Sequence, residues 1–188
     1  LLFILLYKFG DAVLTVMKIP FFLELGFSNT EIGTIAKLVG FPPLIIGGLF
    51  GGLLLAKIGI MRGLLISGVL MAASNLVFVV QASAGYSPGM LAVTIGVENF
   101  TTSMGTVAFV AYLSSLCNVA YTATQYALLT SFMAFSRTVM TSGSGWVADQ
   151  VNWPTFFILT TVAALPGLFL LVYMIKKVNQ PAQPQPPD

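Results

Sequence analysis

The chain has 188 residues, 57% of them hydrophobic and 7% charged, with a formal net charge of +2 and a mean hydropathy of +0.94. A soluble domain carries about 25% charged residues, so this chain has too little polar surface to cover itself in water and is expected to be an integral membrane protein. With no histidine and the single cysteine Cys117, an intrachain disulfide, a His/Cys metal site and a His-based triad are excluded, and neither a cofactor nor a nucleic-acid partner is expected.

Six apolar spans are predicted, which makes the fold class all-α integral membrane. The first, 1–25, starts inside an apolar run with no initiator Met and no signal-peptide n-region, so the chain is expected to be a fragment with an earlier part missing. About 20 apolar residues cross a bilayer, yet this span carries Lys8, Asp11 and Lys18. A charge near the bilayer centre costs about 2.5–3.5 kcal/mol. At about 100° per residue, Asp11 and Lys18 are nearly eclipsed, Thr15 falls beside them and Lys8 is roughly 60° away. The three charges therefore form one stripe, which must face a protein interior or a water-filled cavity.

The turn GFSNTE follows, where Ser28 or Asn29 can cap the next helix and Glu31 suits its first turn. The second span, 30–56, holds Lys37 on a face shared with Gly33, Gly40, Gly47, Gly48 and Gly51. Small residues at that spacing favour close helix packing over substrate contact. Pro42-Pro43 should kink this helix, because two intrahelical donors are missing. The third span, 62–83, has no buried charge. The fourth, 88–113, has Glu98 with Thr94, Thr101, Thr102 and Gly105 near its direction. The fifth, 121–146, places Tyr126, Thr130, Met133, Arg137, Thr141 and Ser144 on one face. The sixth, 154–176, has no buried charge, and 178–188, where Pro and Gln alternate, is expected to be a disordered or extended cytoplasmic tail.

Lys57 and Arg62 follow the second span, and Lys176 and Lys177 follow the sixth, whereas 26–31, 84–88 and 147–153 contain no Lys or Arg. Positive charge stays inside, so the 57–62 loop and the C-terminus are expected to be cytoplasmic. The buried charges fall in spans one, two, four and five and are absent from three and six. That is a three-plus-three pattern, as in the inverted repeats of transporters. Its consequence is that the first two helices of each repeat line a polar interior, while the phenylalanines and leucines of spans three and six face lipid.

Asp11 and Glu98 are the acids deep inside the predicted spans and the candidates for proton coupling. Burial and nearby cations act in opposite senses on a carboxyl's proton affinity, so such a group can load and release a proton. The alternative is permanent ion pairing, of Asp11 with Lys8 or Lys18 and of Glu98 with Arg137. Four buried cations, Lys8, Lys18, Lys37 and Arg137, against two buried acids favour an anionic substrate. Arg137 is the foremost candidate, because its planar fork matches a carboxylate. Lys37 can instead snorkel to the interface. Asn118, Tyr121, Gln125 and Tyr126 cluster near the start of span five as an inner gate, as sugar-binding groups alongside Thr130, or as interfacial anchors. Trp146 and Trp153 bracket an outer loop as interface residues.

GGLLLAKIGIMRG at 51–63 resembles the loop signature of the major facilitator superfamily, with Gly52, Lys57, Gly59 and Arg62 matching and Ala56 where the family has an Asp. Gly145-Trp146-Val147-Ala148-Asp149 echoes it after span five. The opening Gly10-Asp11-Ala12, the run from Phe27-Ser28 to Gly33, MGTVAFVAYLSSLCNVAYTATQYALLTS at 104–131 and GWVADQVNWPTFFILTTVAALPGLFLL at 145–171 resemble the AmpG-type muropeptide permeases. The resemblance implies the C-terminal six-helix half of a twelve-helix transporter, with an N-terminal half as partner. It also implies proton-coupled import of anhydro-muropeptides across the bacterial inner membrane. Acetyl-CoA or other organic-anion transporters are the competing branch, and a non-transporting membrane interaction domain is the competing class. A membrane enzyme would need a nucleophile beside a base, which dispersed acids without histidine do not provide.

Overall fold

A computed structural model describes residues 2–117 and 122–178. Among them are eight helices and no strand: α1 (Leu2–Glu24), α2 (Asn29–Leu38), α3 (Phe41–Ile58), α4 (Ile60–Ala84), α5 (Pro88–Ser115), α6 (Thr122–Thr141), α7 (Ser144–Gln150) and α8 (Trp153–Val178). The predicted tail beyond Val178 and the gate candidates Asn118 and Tyr121 lie outside the described residues. By length and composition α3, α4 and α8 suffice to cross a membrane. The chain is a multi-pass membrane protein.

The stretch predicted as one kinked helix is two helices. Pro42 and Pro43 occupy the first positions of α3, where a fixed φ is already helical and a missing N–H is no loss. Neither can donate back to Leu38 or Val39, so the ladder stops there. Gly40 lies in the joint, and its carbonyl accepts from Asn99 Nδ2 of α5 at 3.0 Å. At the other end of α2 a capping box closes the first turn. Ser28 Oγ accepts from the Glu31 N–H at 3.2 Å, and the Ser28 N–H donates to Glu31 Oε2 at 2.8 Å. Such a box satisfies two otherwise orphaned donors. Tyr86, between α4 and α5, donates its hydroxyl to Glu31 Oε1 at 2.6 Å and stacks on Phe27 with ring centroids 4.5 Å apart.

Close packing is what the glycine face of α3 provides. A Cβ at Gly47 would overlap the Phe100 carbonyl oxygen of α5, and one at Gly51 would lie 3.1 Å from Met104 Cα. Gly40 and Gly48 meet Asn99 and Ser103 of the same helix, whereas Gly33 faces open space. The bundle has two apolar cores. Leu14, Phe21, Phe22, Phe27, Phe78 and Phe157 build one, together with Trp153. Phe3, Tyr7, Leu64, Phe109, Tyr112 and Leu171 build the other.

The expectation that spans three and six merely face lipid is corrected. α4 packs on both α5 and α8, and α8 also packs on α1. Leu64 and Phe78 of α4 and Phe156, Phe157 and Leu171 of α8 are buried. Gly63, Ser67, Gly68, Ala72, Ser74 and Asn75 form a buried face of small and polar side chains on α4, and small residues let neighbouring backbones approach. Lack of charge marked a helix without ion pairs rather than one without neighbours. The opposite face of α4, with Val69, Leu70, Leu76 and Val80, is exposed.

Span five also differs from its expected form. α6 ends at Thr141, the chain turns through Ser142 and Gly143, and α7 starts at Ser144. Trp153 is not a free interface residue, since its ring packs 5.1 Å from Phe21 and 5.9 Å from Phe157. Trp146 is exposed.

Candidate functional site

The charged stripe of α1 meets α5. Lys8 Nζ lies 3.0 Å from Asp11 Oδ2, one helical turn along the same stripe. Lys8 also donates to Thr106 Oγ1 at 3.2 Å, and Thr102 donates to Asp11 Oδ1 at 3.1 Å. Both carboxylate oxygens of Asp11 therefore have a donor, one from its own helix and one from α5. Two turns further along α1, Lys18 Nζ contacts Glu98 of α5 at 2.9 and 3.1 Å, one distance to each oxygen. The Glu98 side chain is 3% exposed and that of Lys18 is 25% exposed, so the acid sits inside and the ammonium at the rim.

The partner of Glu98 is thus Lys18, not the Arg137 of the sequence-level alternative. Glu98, Thr102 and Thr106 follow at intervals of four on one face of α5. That spacing was a usable sign that Thr106 belongs with Glu98 and Thr102; only Thr106 escaped the sequence reading. Arg137 of α6, expected to be buried, is exposed, since this stretch of α6 has few neighbours; it lines a cavity of about 210 Å³ with Lys8, Asp11, Thr106 and Met133. Among the described residues it has no carboxylate partner. A guanidinium beside one satisfied ion pair is an arrangement that can receive an added carboxylate.

The other candidates divide. Lys37 is exposed on α2 and does not join the α1–α5 charges. Tyr126 packs against the apolar core around Tyr7. Thr130 returns its hydroxyl to the backbone carbonyls of Tyr126 and Ala127. Gln125 is half-buried in the first turn of α6. In the loop signature, Gly59 joins α3 to α4 with φ +82°, a conformation that L side chains rarely adopt. Lys57 and Arg62 flank it, exposed, and Gly52 has open space where a Cβ would be. Outside the spans, the hydrogen bond to Glu31 raises the Tyr86 phenol above its ordinary value. Among the described residues no group of His, Cys, Asp and Glu could hold a metal ion.

A helical membrane bundle with an ion pair between α1 and α5 and a second pair, within α1, on a cavity that also holds a guanidinium suits a solute carrier. Residues 1–188 match the profile of the Major Facilitator Superfamily, and the chain belongs to that family, a class of transporters rather than enzymes. It is 40% identical over 179 residues to a putative transporter AmpG 4 of Rickettsia felis, covering 95% of this chain and 43% of the relative. It is 37% identical over 173 residues to the anhydromuropeptide permease of Escherichia coli K12, covering 92% of this chain and 35% of the relative. A putative transporter AmpG 1 of Rickettsia prowazekii is 37% identical over 179 residues, covering 95% of this chain and 40% of the relative. The chain thus spans about two fifths of the length of the curated relatives it matches.

Proposed function

We propose that the chain is the C-terminal six-helix half of a proton-coupled importer of anhydro-muropeptides in the bacterial inner membrane. α1, the pair α2–α3, α4, α5, the pair α6–α7 and α8 would make the six crossings, arranged as two inverted repeats of three. The C-terminus would be cytoplasmic. An N-terminal half would supply the facing wall, and rocking of the two halves would alternate access to a midplane site.

One observation carries the reading: Arg137, without a carboxylate partner among the described residues, shares a cavity with the Lys8–Asp11 pair. A guanidinium and an ammonium together suit a carboxylate-bearing solute such as a peptide stem. Asp11 and Glu98 are the groups able to carry a proton across. Full pairing of every charge with no cavity would have favoured an interaction domain; the Lys8–Asp11 and Lys18–Glu98 charges are paired, and it is the cavity beside Lys8 and Asp11 that supports the transport reading. The specific solute rests on the likeness to the permease relatives; an organic anion of another kind is the alternative on the same cavity.

The test is uptake of radiolabelled anhydro-muropeptide by vesicles holding the full-length transporter, with an imposed inward proton gradient. Accumulation that collapses with an uncoupler is expected. Uptake indifferent to the uncoupler would refute proton coupling, and no uptake would refute the solute.

A further inference from the structure

The two apolar cores stand at opposite ends of the bundle, since Leu64 belongs to one and Phe78 to the other, about 21 Å apart along α4 at 1.5 Å per residue. The core around Leu64 gathers the start of α4 and the end of α8. Ile60 and Met61 pack against it from α4, Met174 and Ile175 from α8, and Leu55 from α3. The charged residues beside these contacts are all basic. Lys57 lies in the last turn of α3, Arg62 in the first turn of α4, and Lys176 and Lys177 in the last turn of α8. All four are exposed, and among the described residues none has a carboxylate partner.

The acids of the chain are committed elsewhere. Asp11 and Glu98 are paired with lysines. Glu24 and Asp149 line a cleft with Trp153, which packs on the other core, and Glu31 is tied to Tyr86. Asp188 lies outside the described residues. A cation in the last turn of a helix gains from the helix dipole, which gives Lys57, Lys176 and Lys177 a local reason for their places. Arg62 has no such reason. In a first turn the dipole opposes it, and that turn of α4 contains no acid to offset the effect.

The same cations continue two exposed apolar stripes. On α4, Arg62 is followed at helical spacing by Ile66, Val69 and Leu70, all exposed. On α8, Lys176 and Lys177 follow the exposed Phe169 and Tyr173. α4 and α8 pack on each other, so charge over apolar surface is repeated on neighbouring helices.

We propose that this end of α4 and α8 is a binding site for an anionic phospholipid of the adjoining leaflet. Its phosphate lies between Arg62 and the Lys176–Lys177 pair, with Lys57 at the edge, and its acyl chains lie along the two stripes. Arg62 supplies the forked donor that phosphate oxygens accept in pairs, and the lysines supply point charge. A zwitterionic headgroup brings an ammonium of its own and loses most of this attraction. Free phosphate would meet the cations but leave the apolar stripes uncovered, so the occupant is a lipid. The site is separate from the Arg137 cavity and does not depend on which solute that cavity takes.

The experiment is native mass spectrometry of the full-length transporter, delipidated in detergent and titrated with phosphatidylglycerol or phosphatidylcholine. The wild type should hold a phosphatidylglycerol that phosphatidylcholine does not replace. A cation beside an anionic lipid surface is worth about 5-fold in affinity, so Arg62→Gln/Lys176→Gln/Lys177→Gln should weaken that lipid roughly 100-fold. Should this triple variant not fold, Arg62→Gln alone, expected to be about 5-fold weaker, decides. Lys37→Gln removes an exposed cation from α2, whose Ile32 packs in the other core, and should leave the lipid bound. Inorganic phosphate at the concentration of the lipid should not displace it. Equal retention of the two lipids overturns the proposal, and so does undiminished phosphatidylglycerol binding when the cations are removed. An equal loss in K37Q overturns the location, and displacement by inorganic phosphate overturns the lipid as occupant.

Discussion

Gly47→Ala tests the α3–α5 seam most directly. Its added Cβ would overlap the Phe100 carbonyl oxygen and lie 2.9 Å from Phe100 C and Cα. Those are backbone atoms inside a helix, so no rotamer change relieves the overlap. α3 and α5 must part by about 0.5–1 Å to reach the ordinary carbon separation of roughly 3.5 Å, and a gap of that size forfeits a quarter to a half of each contact's attraction along the seam. Overpacking of this kind costs about 1–3 kcal/mol. Helix propensity returns about 1 kcal/mol for Gly→Ala, and with the overlap on backbone the net loss is about 2 kcal/mol. That corresponds to a fall of roughly 4–8 °C in melting temperature at about 2–4 °C per kcal/mol. Gly52→Ala is the control on the same helix, because a Cβ there meets nothing within 4 Å. It should gain about 1 kcal/mol and melt slightly higher. The assay is thermal unfolding of the detergent-solubilised full-length protein by intrinsic fluorescence. Equal melting of G47A and wild type, or an equal fall in G52A, would refute the seam.

Three further outcomes follow from the same geometry. Arg137→Ala should leave the melting temperature within about 1 °C, as expected of a change within about 0.5 kcal/mol, because no internal partner is lost. It should weaken carboxylate-solute binding about 10- to 100-fold, the worth of a charged hydrogen bond, measured by calorimetry. Lys18→Gln should destabilise by about 3 kcal/mol, the low end for breaking a buried pair since Lys18 is at the rim. The pair-removing Lys18→Met/Glu98→Leu should recover most of that in the same melting assay. Asn99→Ala removes the 3.0 Å donation to the Gly40 carbonyl, which keeps the Leu44 N–H at 3.3 Å, so it should cost about 0.5–1.5 kcal/mol in the same melting assay, with Asn99→Gln failing to restore it if the geometry is specific.

Particular residues show how far the sequence carried. The stripe of Lys8, Asp11 and Lys18 was legible because helical period is a local property, and those residues do meet α5 and the cavity. The glycines of α3 were legible as a packing face for the same reason. Pairing was not legible. Lys18 and Glu98 are 80 residues apart, and which cation a buried acid meets is fixed by how α1 and α5 dock, on which period is silent. Charge counting also misplaced α4. Its small-residue face from Gly63 to Asn75 was visible in the sequence and would have marked an interior helix had packing been weighed beside charge. The break at Gly40 shows a third limit. Two prolines announce a disturbed ladder, but whether the helix kinks or starts afresh depends on its neighbours, and the donation of Asn99 Nδ2 to the Gly40 carbonyl in the joint comes from a residue 59 positions away.

The separation of α2 from α3 has a mechanical consequence. A continuous rod transmits torque along its hydrogen bonds, whereas the two rods meeting at Gly40 lack the two bonds that Pro42 and Pro43 cannot give and are linked through Gly40, whose N–H donates to Ile35 and whose carbonyl accepts from Leu44 and from Asn99 of α5. α2 is fastened to the α4–α5 turn through Tyr86, and α3 is keyed to α5 through its glycines. A tilt of α2 thus meets its weakest resistance at this joint, and the glycine contact surface of α3 on α5 is the part best held in alignment.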